Sequence, residues 1–103
     1  MRLVIVESPY AGDVKANLLY ARKCLADSLG RGEAPLMSHL LYTQVLDDLK
    51  PDERALGISA GLAWMTFADK VIVYSDLGIT AGMRCGIAKA TALGIAIEYR
   101  KIL

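Results

Sequence analysis

The chain is short of the residues on which much protein chemistry depends. Its 103 residues include one histidine and two cysteines. Cys24 and Cys85 lie far apart, each in a helix-like pattern, so both are expected as buried free thiols. One His and two Cys offer no metal-ligand spacing, and neither a metal site nor a cofactor is expected. A charge excess is missing as well: 12 basic and 11 acidic residues leave a formal charge of +1, and the signs are well mixed. That pattern excludes the basic face of an electrostatic nucleic-acid binder. No run of about 18 apolar residues occurs, and the N-terminus lacks a basic region followed by an apolar stretch and a cleavage site. No membrane partner is expected, and the protein is read as soluble and cytoplasmic.

What is abundant is apolar surface. Hydrophobic residues make up 54% of the chain and charged residues 22%, enough for a real core and too apolar for a disordered segment. The length fits a single domain over residues 1–103. The apolar excess favours a homo-oligomer.

The opening segment MRLVIVESPYAGD carries the most information. Leu3 to Val6 read as a parallel strand covered on both faces, Pro9 stops it, Gly12 permits a bend and Asp13 is a good helix cap. Strand-to-helix junctions of this kind bind ligands in open α/β sheets, and the positive end of the following helix suits anionic or polyhydroxylated groups. The helix places Val14, Leu18, Ala21, Leu25 and Ser28 on one face and stops at Gly30 and Gly32. Residues 33–38 (EAPLMS) read as a short second strand. The stretch from His39 to Lys50 fits neither period cleanly, although it could form a turn of helix. Pro51, Asp52 and Glu53 open a helix that runs to about Ala68 and is apolar on more than one face, so it is expected to be buried. VIVY, residues 71–74, makes a third strand. SDLGIT is a second Gly-bearing junction, AGMRCGIAKATAL a further helix, and IAIEY, residues 95–99, a last strand before a basic tail.

This order predicts a four-stranded parallel sheet with strand order 2-1-3-4 and right-handed crossovers, an α/β fold with a switch point between strands one and three. SPYAGD and SDLGIT then border one crevice. Ser8 and the loop amides could hold a phosphate or a ribose hydroxyl, Tyr10 could cover a ring, and Asp13 could cap the helix or take a hydroxyl; Pro9 and Gly12 shape the loop. Ser8 and Asp13 could equally do no more than satisfy backbone amides. His39 stands at a strand end with Tyr42 nearby, placed either as a general acid/base or as a hydrogen-bonded structural residue. Asp47 and Asp48 are adjacent and so do not form a catalytic dyad. Ser75 and Asp76 follow the third strand. Gly57 with Gly61, and Gly82 with Gly86 and Ala90, mark helix faces approached closely by a helix, a second subunit or a ligand, since each interior Gly costs roughly 1 kcal/mol relative to Ala.

The SPYAGD loop, PLMSHLLYTQVLDD, ERALGISAGL and TAGMRCGIAKATALGIAIEY together resemble small phage and bacterial domains related to nucleoside 2-deoxyribosyltransferases. The resemblance covers nearly the whole chain. It implies a three-layer Rossmann-like or flavodoxin-like fold, oligomers, and nucleosides or nucleotides bound at the strand ends. In the related enzymes a Glu in a pattern similar to GM-x-x-E-I cleaves an N-glycosidic bond. Here that stretch runs Gly82, Met83, Arg84, Cys85, Gly86, Ile87, so Gly86 stands at the Glu position, and a nucleophilic carboxylate must be missing or come from elsewhere. Glu7, Asp76 and Glu98 are the candidates. The resulting expectation is a protein that binds a nucleoside, nucleotide or ADP-ribose-like small molecule without turning it over, with Met83 and Gly86 at the pocket floor. A nucleosidase or deoxyribosyltransferase with a displaced acid comes second, and an oligomeric interaction module third. What decides between the first two is whether a carboxylate occupies the space above Gly86.

Overall fold

The computed structural model describes all 103 residues. Strand β1 (Leu3–Glu7) leads through a loop to helix α1 (Val14–Gly30), and β2 (Ala34–Leu36) follows. A single-turn helix α2 (Ser38–Leu41) and a 3-10 turn come next, then α3 (Pro51–Trp64), β3 (Lys70–Tyr74), α4 (Ala81–Ala92) and β4 (Ala96–Arg100). The four strands are all parallel, in the order β2-β1-β3-β4. The expected topology is therefore the one observed.

Alternation along the strands explains why their sequences are apolar throughout. Val4 and Val6 of β1, with Ile72 and Tyr74 of β3, pack under Tyr20, Ala21 and Cys24 of α1. Ile5, Val71 and Val73 point the opposite way, against Met65, Met83 and Ala90. Because side chains alternate with period two, Glu7 falls on the Ile5 side, the face that α4 covers. Both faces of the central strands are thus dry, with helices above and below the sheet.

Several expectations are corrected by packing. The buried face of α1 is centred on Asn17, Tyr20, Ala21, Cys24 and Ser28, while Val14 is exposed and Leu18 and Leu25 are only half-buried. Helix α3 is not buried: Gly61 is its one fully enclosed residue, and Leu56 and Trp64 are exposed. It ends at Trp64, and a 3-10 turn takes the chain through Phe67. Cys24 is buried, but Cys85 on α4 is exposed. Arg100, expected in an open basic tail, is the buried last residue of β4. Its guanidinium donates to both oxygens of Glu33 at 2.8 and 2.7 Å, and that residue precedes β2 instead of starting it.

Candidate functional site

At the carboxyl ends of β1 and β3, a crevice open at its mouth lies between the β1–α1 loop, α2, the segment before α3, and the start of α4. Glu7, Ser8, Tyr10, His39, Tyr42, Gly82 and Met83 line it. The local sequence builds this wall. Pro9 ends β1 and is buried, and Gly12 turns the chain at φ +101°. Asn17 then reaches back from α1 and its side-chain N–H groups donate to the carbonyls of Tyr10 and Ala11 at 3.0 and 3.1 Å. This buried amide fixes the loop. Nothing in the opening motif singles it out; the available signal is a polar residue three and four positions before Tyr20 and Ala21 on the buried face of α1. Asp13 acts as the helix cap, its carboxylate accepting from the Ala16 N–H at 3.2 Å, and does not line the crevice.

Ser8 and His39 meet across this wall, Ser8 Oγ lying 2.6 Å from His39 Nε2. Ser8 is buried. Burial pushes the imidazole down to about 4, so His39 is neutral through the physiological range. A second partnership joins the crevice to the outside: the Trp64 indole N–H donates to the Tyr42 hydroxyl at 2.9 Å. Helix α2 sits close enough to α3 that a β-carbon on Gly61 would lie 2.8 Å from Ser38 Cβ. That contact accounts for Gly61. The segment before α3 is held by its own charges, Arg54 pairing with Asp48 at 3.3 Å and the Glu53 carboxylate accepting from the Asp47 N–H at 3.0 Å.

Glu7 stands apart from these pairs. A β-carbon on Gly86 would lie 2.7 Å from its Cδ and closer still to Oε1, so the Glu7 carboxyl occupies the space a side chain at position 86 would need. It lines both the crevice and a smaller recess of about 410 Å³ shared with Cys85 and Gly86. No hydrogen bond or charge compensates it; burial alone pushes its carboxyl up to about 8. Every fully enclosed side-chain N or O atom has a partner, so the unpaired oxygens of Glu7 keep access to the open space of the crevice and recess that it lines. Burial therefore favours the uncharged carboxylic acid at Glu7 near neutral pH.

The other two candidate acids are engaged elsewhere. Asp76 accepts from the Tyr20 hydroxyl at 2.6 Å and from the N–H groups of Ile102 and Leu103, tying the end of the chain to α1. Burial opposes its ionisation, but these hydrogen bonds outweigh the penalty and hold its carboxyl below the usual range. Glu98 is held low by hydrogen bonds from Arg100 and Lys70. Ser75 donates its backbone N–H to the Arg100 carbonyl. Of the second junction only Thr80, which caps α4, and the residues after it reach the crevice; Ser75 and Asp76 do not.

A parallel sheet of this order with a crevice at its carboxyl edge defines a Rossmann-like α/β domain. Solved structures share it, among them two 2-deoxyribosyltransferases. A 2-deoxyribosyltransferase from Bacillus psychrosaccharolyticus, characterised as a biocatalyst for nucleoside synthesis, superposes with a TM-score of 0.76 at 13% identity, over 96% of this chain and 72% of that one. A 2-deoxyribosyltransferase from Leishmania mexicana gives 0.61 at 15% identity, over 98% and 65%. At such identities the likeness is one of fold. No curated protein sequence matches. The chain belongs to the family described as a domain of unknown function, DUF7768, which matches residues 2–100.

Proposed function

We propose that the crevice binds a nucleoside-type small molecule, and that the protein does not attack that ligand with a carboxylate nucleophile. The observation that carries this reading is the Glu7 carboxyl filling the space above Gly86 with no hydrogen bond or cation beside it: a displaced acid is present there, but burial favours its protonated form. Displacement at an anomeric carbon needs the electron pair of an ionised carboxylate. A desolvated acid with no cation beside it withholds that pair at neutral pH. Tyr10 and Tyr42 offer flat, amphipathic faces for a heterocycle, and Ser8 with neutral His39 offers donors and acceptors for hydroxyl groups. The fold it shares with the two 2-deoxyribosyltransferases adds support, since ligands of such sheets sit at the switch point. Isothermal titration with a panel of nucleosides, nucleotides and ADP-ribose is the test. Saturable heat with nucleosides is expected, and silence across the panel overturns the proposal.

The same placement of Glu7 favours one second reading, hydrolysis of an N-glycosidic bond with Glu7 as general acid. In that step the C–N bond breaks, Glu7 gives its proton to the departing base nitrogen, and water adds to the sugar carbon and returns a proton. Chromatography of nucleosides incubated with the protein distinguishes the two. Free base that disappears in Glu7→Gln would favour the enzyme.

A further inference from the structure

Resting on the nucleoside-type reading, we infer that Glu7 is the residue that determines which ligands the crevice accepts: its carboxylic acid O–H donates a hydrogen bond to an acceptor atom of the base, a ring nitrogen or a carbonyl oxygen. The geometry leaves that proton without an internal use. The carboxyl has no partner among protein groups, it fills the space a side chain at Gly86 would take, and it lines both the crevice and the adjoining recess without being fully enclosed. An unmet donor beside a partly desolvated pocket is costly until a ligand supplies the acceptor, which makes it a strong discriminator between ligands that have one and ligands that do not.

The surroundings preserve the uncharged form. Arg54 is the only cationic side chain lining the crevice, and it is paired with Asp48; Glu53 adds a further acid on that side. His39, from α2, is neutral and bonded to Ser8. Cys85, on α4, shares the small recess. No lining group is free to draw Glu7 into a salt bridge. A cationic group at this point would favour ionised Glu7, whereas a ligand acceptor needs the protonated form, because only its O–H donates. The two cases have opposite pH dependence.

The experiment is calorimetric titration of the full chain with adenosine and with cytidine, bases that do not change protonation between pH 7 and 9.5, for the native protein, Glu7→Gln, Glu7→Ala and Cys85→Ser. With Glu7 at about 8, native affinity is expected to fall roughly 30-fold from pH 7 to 9.5, because only the protonated fraction is competent. Glu7→Gln, whose amide N–H also donates, keeps the affinity and loses the pH dependence; Glu7→Ala binds at least tenfold more weakly at pH 7. Cys85→Ser retains the native profile. Affinity that rises with pH, a fall that persists in Glu7→Gln, or a Glu7→Ala protein that binds like the native chain overturns the inference and leaves the nucleoside reading standing. Absence of binding by any nucleoside at either pH overturns both.

Discussion

Glu33 and Glu7 are both carboxylates held away from bulk water, one beneath α1 and one at the crevice floor, and the fold treats them in opposite ways. Glu33 is fully paired: Arg100 donates to both its oxygens and Ser28 donates at 2.9 Å. The Arg100 hydrogen bonds hold its carboxyl down at about 2. Around it Arg100 also donates to the Tyr74 hydroxyl, which in turn donates to Asp27. Glu7 has none of this and sits at about 8. A network in which every group is satisfied specifies packing. A lone acid at a pocket floor weakens the fold and gains its value only from what enters the pocket.

The largest test of that contrast is Glu33→Ala. It leaves buried Arg100 with only the partly exposed Glu98 as an ion-pair partner, and a loss of about 3 kcal/mol in urea denaturation is expected. Because the native carboxyl is depressed, the stability Glu33 contributes is present above 4.5 and disappears as pH falls through about 2. Glu7→Gln should act the other way. Between 4.5 and 8 the native state holds a proton that the unfolded chain releases, so stability falls as pH rises through that window and levels off above it. Removing the titration is expected to stabilise the protein by roughly 2–3 kcal/mol at pH 7, with the gain vanishing below pH 4.5. If both substitutions destabilised equally at pH 7, the contrast between the two sites would collapse.

Two glycine substitutions sharpen it further. Gly61→Ala drives a methyl into Ser38, whose Cβ cannot swing aside, and should cost about 1–3 kcal/mol while displacing α2 and the Ser8–His39 pair. Chemical shifts of the His39 ring would report that movement. Gly86→Ala meets only the mobile end of Glu7. The carboxyl is expected to swing into the crevice and regain water, and the better helix propensity of Ala offsets the strain, leaving a net change within about 1 kcal/mol. The diagnostic readout is NMR titration of the Glu7 carboxyl carbon, which should move from about 8 toward 4.5.

Much of the architecture is legible along the chain. Continuous apolar strands, Gly-bearing junctions and helix caps are local signals, and together they fix strand order 2-1-3-4. The crevice wall is legible in part, since Ser8 and Tyr10 follow β1, while His39 and Tyr42, read as following a strand to residue 38, stand in α2 and the 3-10 turn after a β2 that ends at Leu36. Less legible is which surfaces meet. The exposure of α3 depends on its neighbours, and apolar composition alone made it look buried. The pairing of Arg100 with Glu33 spans 67 residues, and Asp76 is claimed by the distant backbone of Ile102 and Leu103. Glu7 over Gly86 was half visible: period-two alternation sends Glu7 to the α4 face, but the register that sets it against Gly86 and not Met83 or Ala90 is a tertiary fact.

Trp64, with its indole bonded to the Tyr42 hydroxyl in the crevice wall and its ring half in solvent, is the only tryptophan in the chain. The molecule therefore carries an intrinsic optical probe one hydrogen bond from its pocket. A ligand that shifts Tyr42 should change the emission of that single fluorophore, so occupancy could be followed without any label.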